Sequence, residues 1–191
     1  MRGGVNKNLK KLTIGALLSA IGVALLSIGG IIQTVDLSAA AIVSFICIFA
    51  VIEMGSSYAW MIYAVTGILG VIVMPHNMGA WFFLLFFGYY PILKEKMEKL
   101  SKPLSWTLKM ILLNVALGIG LLLAAFVMYG GQKNFFELVN SIMETNFGVA
   151  ATIGLVVLVE ATFVIYDIAL TRLITYYILR LRQRFSRFLK S

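Results

Sequence analysis

Residues Leu12 to Ile32 read LTIGALLSAIGVALLSIGGII, twenty-one residues without a charge. About 20 consecutive apolar residues in a helix cross the hydrocarbon core of a bilayer. The stretch is therefore read as a membrane span, and it sets the class of the whole chain. Ala16, Ala20 and Ala24 recur within it at four-residue spacing. That period places them on one stripe of a helix. Lipid tails satisfy apolar side chains as well as protein does, so helices in a membrane associate where small residues let them come close. The stripe marks a docking face, turned either to a partner protein or to this chain's own bundle.

Composition agrees with the first span. Of 191 residues, 61% are hydrophobic and 13% charged. A water-soluble domain of this size has no interior large enough for so much apolar surface, so the chain reads as one integral membrane domain over 1–191. The single cysteine, Cys47, excludes an intrachain disulfide and a Cys-based zinc centre. In its apolar run it reads as a small buried hydrophobe. The apolar stretch after Lys11 is too long for a signal-peptide core, and a polar turn follows it in place of a cleavage site, so no cleaved leader is expected.

Punctuation along the chain predicts six spans: 12–32, 37–54, 58–74, 79–93, 106–129 and 148–171, with a basic tail over 172–191. Gln33-Thr-Val-Asp36 and Gly55-Ser-Ser57 are turns, Pro75-His-Asn-Met78 interrupts the third span, and Lys94 to Pro103 reads as a charged loop. Gly130 to Phe147 is the longest polar connection, and Asn134 to Met143 within it reads as a short surface helix. The fold class is thus all-α, a compact six-helix bundle. Fifteen of the sixteen Lys and Arg residues fall on one side of this arrangement and only Lys133 on the other. The positive-inside rule then puts both termini in the cytoplasm, as an even number of spans requires. The net charge of +8 follows from topology and attraction to anionic lipid, with no nucleic-acid partner implied.

Polar groups inside spans are costly and mark function or packing. Glu160 falls about 18 Å into the last span at ~1.5 Å per residue, near the midplane. It reads as a protonated packing group or as the wall of a deep pocket. Asp167 reads as a structural partner for Arg172 or for a lysine of the 4–5 loop, and Glu53, at the cytoplasmic end of the second span, as a similar structural carboxylate. Asn114 reads as an interhelical hydrogen-bonding group. On the outer side, Gln33, Asp36, His76, Asn77, Trp81 and Asn134 offer directional polar groups and an aromatic wall under three loops, as a small-molecule pocket needs. Tyr129, Lys133, Glu137 and Asn140 lie in the same outer region. A lone histidine excludes a His-rich metal site. Phosphate-binding loop, paired-His metalloprotease and nucleophile-elbow motifs are absent, so the chain reads as a non-enzyme without cofactor or metal.

The layout, together with Ala16-Leu-Leu-Ser-Ala20 extended by Ala24, resembles the substrate-binding S components of energy-coupling factor (ECF) vitamin transporters. Phe87-Gly-Tyr-Tyr-Pro-Ile92 and Tyr166-Asp-Ile-Ala-Leu170 also look like segments of members with unassigned substrate. The resemblance implies a bacterial cytoplasmic-membrane protein that captures a vitamin or related micronutrient from outside. It implies that the helix 1 alanines meet a membrane coupling subunit driven by two cytoplasmic ATPases. Two other readings stand beside it: a non-transporting membrane scaffold of the rod-shape-determining type, and a lipid-handling membrane protein.

Overall fold

The computed structural model describes residues 2–32, 34–127, 137, 140 and 148–181. The described residues are helical, with no strand among them. They form α1 (Arg2–Ile31), α2 (Asp36–Glu53), α3 (Ser56–Val73), α4 (Met78–Phe82), a π-helical turn (Phe83–Phe87), α5 (Tyr90–Met97), α6 (Lys102–Val127) and α7 (Gly148–Tyr176), which ends in a second π turn (Tyr177–Leu181). Five segments among them are long and apolar enough to cross a membrane: Asn8–Ile31, Asp36–Glu53, Ser56–Val73, Lys102–Leu123 and Val149–Arg180. The protein is a multi-pass membrane protein. The helices group into two units, Met1–Met128 and Tyr129–Ser191.

In the first unit α1 lies against α2 and α3, and α2 also packs on α4, the π turn and α5. The inward face of α1 is itself a ladder of mostly small residues. Gly15, Ser19, Gly22, Leu26 and Gly29 are all buried, at alternating steps of four and three, the spacing of a seam between packed helices. Gly22 shows why the ladder is small. A Cβ there would stand 2.7 Å from Cγ2 of Thr66, so any larger residue would push α1 off α3. The core between these helices holds Val43, Cys47, Ala50, Ala59 and Ile62. Cys47 is buried and free, as expected.

The fourth expected span, 79–93, is not one continuous α-helix. It breaks into α4, the π turn and α5. Pro91, in the first turn of α5, has no N–H to donate back, and the chain accommodates it with a wider turn upstream. There Gly88 N donates to Phe83 O at 2.8 Å. The Leu84 carbonyl, which Gly88 would satisfy in an α-helix, accepts instead from the Tyr63 hydroxyl of α3 at 2.6 Å. Replacing Tyr63 by Phe is therefore expected to cost about 1 kcal/mol, the usual net value of such a bond. Chemical unfolding in detergent measures it, and an unchanged stability would mean that the Tyr63 bond contributes nothing to the broken helix. The expected loop Lys94–Pro103 is also shorter than its charge suggested: Lys94 to Met97 complete α5, and α6 starts at Lys102.

The second unit contributes α7. Phe163, Asp167 and Leu170 are buried on one face of it, while Val149 to Leu158 are exposed throughout.

Candidate functional site: the two faces of α1 and its anchors

The alanine stripe is on the outside of the bundle. Ala16, Ala20 and Ala24 are each exposed. Ala20 lies two residues from the inward Gly22, about 200° around the helix at 100° per residue. Helix 1 thus has two small-residue faces. One is occupied by α2 and α3, and the other is open. The sequence reading picked out the alanine stripe and missed the inward ladder. The signal was present as a four-three repeat of Gly and Ser, interrupted by one Leu.

Both ends of α1 are tied down. At the basic end Lys11 Nζ donates to the Met54 carbonyl at 3.2 Å and lies 5.4 Å from the centre of the Tyr58 ring. A cation on the last carbonyls of α2 is favourable, because the helix dipole is negative there. At the other end the anchor is Asn77, which is only 6% exposed. Its Oδ1 accepts from Gly79 N at 2.8 Å and Ala80 N at 3.4 Å, capping α4. Its Nδ2 donates to the Leu26 carbonyl of α1 at 2.8 Å. Gly30 makes room for it, since a Cβ at that position would collide with Asn77 Nδ2.

The other residues expected on the outer side are placed as follows. Asp36 opens α2, where a carboxylate suits the positive end of the helix, and its Oδ1 accepts from Leu37 N at 2.6 Å. Trp81, half-buried, donates through Nε1 to Pro75 O at 2.7 Å. His76 is exposed beside the buried Asn77. Asp36, Asn77 and Trp81 are thus all engaged within the protein. Three of the four hydrogen-bonding positions of the Asn77 amide are taken, which leaves one N–H. Gln33 and Asn134 lie outside the described residues, and so do Tyr129, Lys133 and most of the expected Asn134–Met143 helix. Glu137 and Asn140 are helical and exposed. Glu160 is half-buried on α7. Asp167 is buried, whereas Arg172 is exposed.

The α5–α6 junction buries two lysines, Lys94 from the expected charged loop and Lys109 from the start of the fifth expected span. Lys94 is fully buried and Lys109 nearly so. Both approach the same oxygen of Glu98, Lys94 at 3.2 Å and Lys109 at 3.8 Å. Lys109 also lies 5.3 Å from the Trp106 ring centre. A lysine is rarely buried without a partner, so this carboxylate fastens α5 to α6. No group of three or more candidate metal ligands occurs among the described residues. Comparison with protein-family models, with curated proteins and with solved structures found no match.

Proposed function

We propose that this protein is the membrane-embedded substrate-capture subunit of an ECF-type importer. In this reading it docks through the alanine face of α1 onto a coupling subunit that two cytoplasmic ATPases drive. The observation that carries the reading is the outward exposure of Ala16, Ala20 and Ala24 on a helix whose opposite face is already filled. A helix with only lipid to face has no need of a second small stripe. Close approach by another transmembrane helix gives it a use. The ties at Lys11 and Asn77 support the same reading, because a helix held at both ends presents its outer face as a rigid surface.

The broken segment α4–π–α5 completes the sixth crossing, so that both termini lie in the cytoplasm with the basic residues. The ligand is a vitamin or related micronutrient taken from the outer side. Its polar contacts come from Gln33, Asp36, His76 and Asn77 of the first unit, with Trp81 as an aromatic wall. Of the described members, exposed His76 is the one best placed to meet it.

Native mass spectrometry of the protein released from its own membrane in mild detergent tests capture. The expected result is a small, water-soluble molecule bound at one per chain and displaced when His76 and Trp81 are both replaced by alanine. Removing the His76 contact and the Trp81 wall together should weaken binding at least tenfold, since about 1.4 kcal/mol is one decade. Bare protein, or protein carrying phospholipid alone, would contradict capture and favour the scaffold or lipid-handling readings.

A further inference from the structure

The face of α6 around Asn114 carries an unmet polar demand. Trp106, Thr107, Met110, Ile111, Asn114 and Val115 line a shallow, open groove along that helix. Asn114 is exposed. Its Nδ2 donates to Met110 O one turn back at 2.9 Å, and its Oδ1 has no donor among the described residues. One turn further on, Gly118 has nothing within 4 Å of where a Cβ would stand. Asn114 lies eight residues past Trp106, about 12 Å along the helix axis, well inside the apolar window Lys102–Leu123. Hydrocarbon offers no hydrogen bond, so an amide carbonyl facing it is left unsatisfied at a cost of several kcal/mol.

We infer that a second copy of this chain covers this groove, the two α6 helices crossing at Asn114 and pairing their amides across a two-fold axis. The argument is one of symmetry and chemistry. Copies inserted with the same orientation form a closed dimer about an axis along the membrane normal, and a two-fold interface brings a patch against itself. Each residue on the axis then meets the same residue at the same depth. Few side chains are satisfied by meeting themselves. A carboxylamide is, because it carries both acceptor and donor. Each Asn114 Oδ1 accepts from the partner's free N–H while the bond to Met110 is kept. Gly118, one turn along the same face, lets the backbones come close, as small residues do at membrane helix contacts. The inference is independent of the capture reading, because it uses a different helix and a different face.

Disulfide trapping in native membranes tests it. Cys47 is first replaced by alanine, and single cysteines are then introduced with Asn114 left in place. Ile111→Cys and Gly118→Cys are expected to give a covalent dimer of twice the chain mass. Ile119→Cys, also exposed but about 140° around the helix from Asn114, and buried Ala116→Cys are expected to give none. Adding Asn114→Leu to Ile111→Cys should lower the dimerisation constant about tenfold, the worth of two interhelical amide bonds in a membrane. Equal trapping at position 119, trapping of a different protein at 111, no trapping at any position, or no effect of Asn114→Leu would each overturn the inference. Should Gly118→Cys fail to accumulate, Met110→Cys, on the groove itself and about 40° around the helix from Asn114, takes its place with the same expected dimer.

Discussion

Asn77→Ala is expected to lower the stability of the bundle by roughly 2 kcal/mol, about half from the lost helix cap and half from the lost bond to α1. Two interactions end on this one side chain: the cap on Gly79 N and Ala80 N, and the donation to Leu26 O. Serine separates them. Asn77→Ser keeps an oxygen that can cap α4 but cannot span to α1, so it should lose only about 1 kcal/mol. For a chain of this size the alanine change amounts to a fall of roughly 4–8 °C in the thermal midpoint, at about 2–4 °C per kcal/mol. Fluorescence-monitored unfolding in detergent reads it. Alanine and serine variants that both unfold with the wild type would show that the C-terminal end of α1 is held by packing alone. An Asn77→Ala protein that keeps its stability but loses a bound small molecule would move this residue from the framework to the ligand site.

The parts of this architecture that were legible in the sequence are those written in periodicity. Leu12 to Ile32 announced a span by length alone, and the alanine stripe could be read because its four-residue step repeats along the helix. The inward ladder of Gly15, Ser19, Gly22 and Gly29 was equally periodic. It was harder to see because its steps alternate, and because the larger Leu26 occupies one rung. The break in the fourth span was missed, although Gly88 and Pro91 stand where it falls. Its form could not be read, since a π turn depends on the Tyr63 hydroxyl reaching Leu84 from another helix. Lys94 misled for the same kind of reason. A lysine in the run Lys-Glu-Lys reads as solvated, and only the approach of α6 makes it a buried member of a charge cluster around Glu98. Asn77 lay in a segment read as a helix break. In the structure the same segment starts the next helix, and Asn77, an asparagine just ahead of Met78, occupies the position a cap requires.

The alanine face gives the other large expected effect. Ala20 is exposed at the centre of its stripe, so Ala20→Trp adds bulk where no described residue of the bundle stands. Its stability should stay within about 0.5 kcal/mol of the wild type, as for surface changes away from special features. A helix seated against that face would be forced away by an indole in the contact. Overpacking of this kind costs about 1–3 kcal/mol when the partner yields and more when it does not, and close small-residue contact leaves little room to yield. Ile42→Trp, on an exposed position of α2, controls for added bulk elsewhere.

The decisive measurement is affinity purification of the tagged chain from its native host in mild detergent, followed by mass spectrometry of what comes with it. Wild type and Ile42→Trp are predicted to bring down a polytopic membrane subunit together with two ATPases. Ala20→Trp is predicted to come down alone, folded and at normal yield. Retention of the same assembly by folded Ala20→Trp, or the absence of any ATPase-bearing assembly with the wild type, would contradict docking through this face of α1.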